Sequence, residues 1–250
     1  MRRVMSALRP LAKVWFRSEV RGLARIPQGG GLLVSNHSGG VLPMDIPVLA
    51  ADFYEYFDYE RPLFALGHDI LFRGPQAELF RKAGLIPASR ASADAALRSG
   101  AIVVVFPGGD YDAFRPTWHA NTIDFNGRTG YVTTALNAGV PLVPTVSIGG
   151  QENQVYLSRG QWLGRRLGLP RLLRTDVVPL TFGVPFGVTT LLPLNLPLPA
   201  KIVTEVLEPI DIAAEFGPDP DVTMVDKHVR AVMQQALDDL AARRRFPVIG

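Results

Sequence analysis

The chain has 250 residues, a formal net charge of +3 at pH 7, 47% hydrophobic and 20% charged residues, and a mean hydropathy of +0.15. That length suits one α/β domain with a large core, and the absence of cysteine excludes disulfides, thiolate metal sites and a cysteine nucleophile. No run of about 20 apolar residues is free of helix breakers, so no ordinary transmembrane helix is expected, and Arg9, Lys13 and Arg17 interrupt the apolar core of a secretory signal.

Residues 1–26 carry Arg2, Arg3, Arg9, Lys13, Arg17, Arg21 and Arg25 against Glu19 alone. Val4, Met5, Leu8, Leu11, Ala12, Trp15 and Phe16 recur at roughly helical spacing, interrupted at Pro10. A basic amphipathic segment with a tryptophan reads as a membrane-surface helix; the alternative is a helix packed on its own domain with a solvated basic face. The expected division is this segment, 1–26, followed by one domain, 27–250.

Gly29-Gly30-Gly31 is a turn, and Leu32-Leu33-Val34 reads as a buried strand. It ends in Ser35-Asn36-His37-Ser38-Gly39-Gly40, and Asp45 stands where a helix opens at Ile46. Strand ends are where open α/β sheets bind ligands. A histidine oriented by a carboxylate is the minimum set for general base catalysis. Asp45 also suits a helix cap, and the glycines suit a plain turn. The aromatic stretch from Phe53 to Tyr59 suits core or an acyl tunnel. Leu63 to Leu66 reads as a second strand leading to His68-Asp69, a rival base; adjacent strand side chains point apart, which favours His37 with Asp45.

Helix and strand then alternate. Helices are expected at 75–82, 92–99 and 130–138, and strands at 84–87 (edge-like), 101–106 and 141–148. This argues for an α/β fold with a mostly parallel or mixed central sheet flanked by helices, preceded by the basic amphipathic N-terminal helix. Residues 177–200 hold five prolines and no charge. They suit a cover over an acyl groove, a headgroup-level surface or a core loop. Arg165, Arg166, Arg171 and Arg174 precede them, a basic rim that suits anionic lipid or a solvated loop. A late strand is expected at 201–207. Asp219-Pro220 caps an amphipathic closing helix on which His228 is structural.

Four blocks in order resemble the glycerolipid acyltransferases, the glycerol-phosphate and lysophosphatidate acyltransferase superfamily. They are Asn36-His37 with Asp45, Gly84-Leu85-Ile86-Pro87-Ala88-Ser89-Arg90, Phe106-Pro107-Gly108-Gly109, and Val140-Pro141-Leu142-Val143-Pro144. The resemblance runs from about Leu32 to Ile212. The family usually has four residues between His and Asp, where Ser38 to Met44 here make seven, and a glutamate where Gly108 stands. Both departures resemble the branch that includes mono- and diacylglycerol acyltransferases. So do Phe182-Gly183-Val184-Pro185-Phe186-Gly187 and Glu208-Pro209-Ile210-Asp211.

The resemblance implies transfer of a fatty acyl group from acyl-CoA, or an acyl carrier protein, to a hydroxyl of a glycerolipid. His37 is then the general base and Asp45 its orienting partner, with no covalent acyl-enzyme. Arg90 and Phe106-Pro107-Gly108-Gly109 are the implied substrate-binding residues. Gly39 and Gly40, with Gly108 and Gly109, are candidate oxyanion donors. Arg115 and Arg128 are weaker candidates for holding phosphate. Acyl-CoA is a co-substrate, and no cofactor or metal is implied. A cytoplasmic protein peripheral to a membrane surface is the expectation, with no nucleic-acid partner, because the basic segments lack an interleaved stacking platform. The rival reading is a non-catalytic lipid-binding protein on an acyltransferase scaffold. An α/β-hydrolase is disfavoured by the lack of a Gly-x-Ser-x-Gly elbow.

Overall fold

A computed structural model of the chain describes residues 1–40, 43–169, 175–190 and 192–246. In chain order the elements are α1 (Arg2–Pro10), β1 (Glu19–Arg21), β2 (Gly31–Ser35), α2 (Asp45–Tyr56) and β3 (Leu63–Gly67). There follow α3 (Ala77–Lys82), β4 (Leu85–Pro87), α4 (Arg90–Arg98), β5 (Ile102–Val105), α5 (Gly109–Ala113), α6 (Gly130–Ala138) and β6 (Leu142–Ile148). The remainder comprises β7 (Val155–Ser158), α7 (Gln161–Arg166), β8 (Leu180–Gly183), β9 (Gly187–Thr189), β10 (Val203–Val206), α8 (Ile212–Phe216) and α9 (Val222–Arg243).

Seven strands form the main sheet in the order β1-β10-β6-β2-β5-β3-β4. The five from β6 to β4 are parallel, and β10 joins β6 antiparallel and carries β1 along its outer side. The sheet is therefore mixed, mostly parallel and covered by helices, as the alternation of elements predicts. β2 is central because all five of its residues are buried, which only a strand covered on both faces tolerates. Alternation along it divides the core. Leu32 and Val34 join the cluster beneath α4, α6 and α9, and Leu33 joins the cluster beneath α1 and α2. The closing helix buries Val225, Val229, Met233, Leu237 and Leu240, one stripe at three- and four-residue spacing. Its cap is Asp221, whose carboxylate accepts from the Thr223 N–H at 2.8 Å, so Pro220 lies before the helix and not in its first turn. His228 packs its ring against Phe216.

Residues 1–26 are joined to the domain. β1 sits in the main sheet, and Met5, Ala12 and Phe16 are buried. Two of the basic side chains face acidic ones of α2: Arg9 pairs with Glu55, and Lys13 with Asp52 at 2.6 Å. Besides arginines, this segment leaves an apolar group exposed, Leu11, Val14 and Trp15 in the π-helical turn that follows α1.

Residues 177–200 contain an element that the prolines hid. β8 and β9 form a hairpin, and with β7 they make a separate three-stranded antiparallel sheet. Arg171 and Arg174 lie outside the described residues; Arg165 pairs with Asp176 at 3.0 Å.

Candidate active site

Five parallel strands end on one edge of the main sheet, and three sequence blocks stand there. Asn36 and His37 follow β2, Phe106 to Gly109 follow β5, and Ala88 to Arg90 follow β4. Asn36 locks the first turn to the neighbouring strand. Its amide nitrogen donates to the Ser147 carbonyl at 2.8 Å and its amide oxygen accepts from the Ser147 N–H at 2.8 Å. His37 is thereby held just beyond the sheet.

The seven-residue spacing still closes the pair. Positive φ at Gly39 and Gly40 turns the chain, and Asp45 begins α2 with Oδ2 2.8 Å from His37 Nδ1. Asp45 is not the cap of that helix, since Met44 holds that position. The same Oδ2 accepts the Ser38 N–H at 2.9 Å. A carboxylate only accepts hydrogen bonds, so Nδ1 carries the proton and Nε2 is left as the basic nitrogen. Asp45 is buried, whereas the His37 side chain keeps 16% of its surface open. The Phe106 ring lies against the imidazole, with centroids 4.3 Å apart and planes 30° from parallel.

A second carboxylate holds the histidine from behind. Asp112 on α5 accepts the His37 backbone N–H at Oδ2, 2.6 Å away, and is ion-paired to Arg115. Arg115, weighed above for phosphate, is 2% exposed and also donates to the Ala120 and Thr122 carbonyls, so it is not available to a substrate. Burial pulls its guanidinium pKa down to about 10. Gly108 belongs to this arrangement. A Cβ there would fall 2.4 Å from the Asp112 Cβ, so the position normally held by glutamate accepts no side chain here.

The glycine N–H groups divide. Gly40 already donates to the Ala113 carbonyl at 3.1 Å, and Gly109 to the Phe106 carbonyl at 3.0 Å, which removes both as oxyanion donors. The N–H groups of Gly39 and Gly108 have no hydrogen-bond partner among the described residues. Arg128 braces the same turn, donating to the Gly108 carbonyl at 2.9 Å and to Asp110 at 3.2 Å. Pro107 is buried beneath it.

Arg90 opens α4 behind the Ser89 cap and is exposed, with no ion pair to a described residue. It stands on the same edge as His37 but three strands away, roughly 14 Å at the usual inter-strand spacing. His68, the rival base, turns its Nδ1 to the following turn and caps it by accepting from the Ile70 N–H. Tyr156 went unnoticed in the sequence. It is fully buried, donates to Gln154 Oε1 at 2.8 Å, and lies so close to Gly40 that a Cβ there would be 2.0 Å from its hydroxyl. Among the described residues no cluster of three or more His, Asp or Glu side chains is disposed to hold a metal ion.

The acyltransferase family model matches residues 17–148, which include all four blocks. The chain belongs to the acyltransferase family. An uncharacterized protein of Mycobacterium tuberculosis is 35% identical over 247 residues, covering 97% of this chain and 66% of that protein. The mouse DGAT1/2-independent enzyme synthesizing storage lipids is 26% identical over 234 residues, covering 88% of this chain and 63% of its own. The mouse diacylglycerol O-acyltransferase 2-like protein 6 is 27% identical over 213 residues, 79% of this chain and 61% of its own. The chain thus spans just under two thirds of the length of these curated relatives. Among solved structures, the 1-acyl-sn-glycerophosphate acyltransferase PlsC of Thermotoga maritima superposes with a TM-score of 0.60 at 19% identity. The superposition covers 97% of this chain and 82% of that one, a likeness of fold. This acyltransferase-family chain carries β7–β10 and α7–α9 beyond the matched region.

Proposed function

We propose that the protein transfers a fatty acyl group from a thioester, acyl-CoA or acyl carrier protein, to a hydroxyl of a glycerolipid at a membrane surface. The observation that carries this reading is the His37–Asp45 pair, with its 2.8 Å hydrogen bond at the C-terminal edge of the parallel strands. The acceptor hydroxyl attacks the thioester carbonyl while His37 Nε2 takes its proton, a contribution of about 10²–10⁴ in rate. Asp45 fixes the tautomer and stabilises the imidazolium. The Gly39 and Gly108 N–H groups, unpartnered among the described residues, are the donors we assign to the oxyanion, each such donor being worth about 3 kcal/mol. Collapse of the tetrahedral intermediate breaks the C–S bond, and the leaving thiolate recovers the proton from His37. The acceptor oxygen is the nucleophile, so no acyl-enzyme forms. Arg90, on the same edge, is the group we assign to a phosphate of the acceptor or of CoA.

Residues matched in relatives named for diacylglycerol acyl transfer and for storage-lipid synthesis support a neutral or weakly polar glyceride as acceptor. No helix among the described residues is long and apolar enough to cross a membrane. A cytoplasmic, peripheral association with the bilayer is the placement we propose.

The test is thiol release from a long-chain acyl-CoA, with acyl carrier protein thioester in parallel. Acceptors are none, lysophosphatidate, glycerol 3-phosphate, monoacylglycerol and diacylglycerol. Acceptor-dependent release, lost in folded His37→Ala and largely lost in Asp45→Asn, is the expected outcome. Release unaffected by His37→Ala would remove the mechanism. No release from either donor with any acceptor would leave a lipid-binding protein on this scaffold.

A further inference from the structure

The β7–β9 sheet is built inside out. Its register places Tyr156, Thr181 and Thr189 in one row across the three strands, and Val155, Phe182 and Val188 in the adjacent row. Successive rows of a strand face opposite ways. The row of hydroxyl-bearing side chains is buried and the apolar row faces outward. Phe182 and Val188, with Val184 and Phe186 at the hairpin turn, are 52–66% exposed.

The buried row is hydrogen-bonded within the protein. Thr181 Oγ1 lies 2.9 Å from Thr189 Oγ1, and Asn195 donates to Thr189 Oγ1 at 3.3 Å and to the Gly187 carbonyl at 3.0 Å. The hairpin is thus fixed from beneath, and its apolar face is not displayed through loose packing. A sheet facing water on one side has the opposite pattern, polar outward.

Three observations say what covers this face. First, residues 177–200 carry no Asp, Glu, Lys, Arg or His, so the surface has no charged group to pair across a protein interface. Second, the loop after the hairpin joins the exposed apolar turn of the N-terminal segment: Trp15 Nε1 donates to the Pro197 carbonyl at 3.2 Å, and Leu196 and Val14 are 66% and 77% exposed. Third, the flank is positive. α7, whose Arg165 pairs with Asp176 just before β8, exposes Trp162 and Arg166. An uncharged apolar face beside tryptophans and arginines is complementary to anionic lipid, with side chains entering the acyl boundary and cations at the headgroups.

We propose that the outward face of the β7–β9 sheet, continued by Trp15 and the 192–198 loop, is the surface that docks on an anionic bilayer. The buried row of the same sheet ends on the His37 loop through Tyr156 and Gly40. Docking there brings the catalytic edge to the lipid phase. The inference extends the peripheral-membrane reading above by naming its surface, and its test measures binding without turnover, so either can fail alone.

The whole chain is sedimented with sucrose-loaded vesicles of phosphatidylcholine alone or mixed with phosphatidylglycerol. Wild type is expected on the anionic vesicles. The double variant Phe182→Ser/Phe186→Ser is expected to lose at least about tenfold in partitioning, since binding scales with inserted apolar area. Leu79→Ser, an equally exposed apolar site on α3, is the control expected to bind as wild type. Phe182→Trp supplies a second readout, a blue shift of the added emission on phosphatidylglycerol vesicles. The proposal is overturned if wild type stays in the supernatant, if the double variant binds as wild type, or if the added tryptophan emission does not shift. A dimer in solution that the double variant dissociates would also overturn it, assigning the face to a second copy.

Discussion

Around His37 the chain places polar groups against polar groups on the inside: Asn36 on Ser147, Asp45 on the imidazole, Asp112 on the His37 N–H and on Arg115. In the β7–β9 sheet it also turns hydroxyls inward, but there the opposite face is apolar and open. The two regions meet at Tyr156. The difference teaches that burial of polar groups serves two ends in one molecule. At the sheet edge it fixes the geometry of a reactive nitrogen; in the small sheet it frees the apolar residues of the same strands to face outward. Substitutions at the sheet edge should therefore cost stability as well as activity, and substitutions on the hairpin's outer face should cost neither in the absence of lipid.

The largest effect on stability is expected at Asp112. Asp112→Ala leaves the Arg115 guanidinium buried without its ionic partner and the His37 N–H without its acceptor, a loss of about 3–5 kcal/mol. Urea denaturation measures it. Asp112→Asn keeps an acceptor for the N–H while still removing the charge, and is expected to recover part of the activity but little of the stability. Equal stability of wild type and Asp112→Ala would show that the carboxylate does not hold this edge. Asn36→Ala comes next. It removes two hydrogen bonds and leaves a backbone N–H and carbonyl of Ser147 buried without partners, at about 1–3 kcal/mol. Its effect on turnover should exceed that expected from unfolding alone, because His37 is the next residue.

Much of the sheet edge was legible because its signals are local. Leu32 to Val34, Ile102 to Val105 and Leu142 to Ile148 are apolar runs closed by turn residues, and His37 and Asp45 stand at the ends of such elements. Asp112 was not legible in this role, because its partner His37 lies 75 residues away and the helix between Gly109 and Ala113 is too short for a periodicity. The partners of the N-terminal charges were hidden for the same reason. Lys13 and Arg9 find Asp52 and Glu55 only after folding, 39 and 46 residues on. The capping residue was misplaced by two positions because Asp219 and Asp221 both bracket Pro220, and only backbone geometry chooses between them. The hairpin was hidden differently. Alternation at Leu180, Phe182 and Val184 gives a period of two but says nothing of which face meets water, and the ordinary assumption puts the apolar face inside.

The smallest predicted effects test that inversion most directly, because they concern neighbours on one strand. Thr181 is buried and hydrogen-bonded to Thr189; Phe182 is half exposed. Thr181→Val keeps shape but leaves the Thr189 hydroxyl short of a partner, a cost of about 1 kcal/mol. Phe182→Ser removes a large apolar side chain, yet from a place where water already reaches it, so its cost should lie within about 0.5 kcal/mol. In a strand with its apolar face buried the order would be reversed, with the phenylalanine the costlier by several-fold. Denaturation midpoints of the two variants, taken without lipid, decide between the two orders. If Phe182→Ser proves the more damaging, the phenylalanine is core, the hairpin is an ordinary amphipathic strand pair, and the bilayer has to be met elsewhere on the molecule.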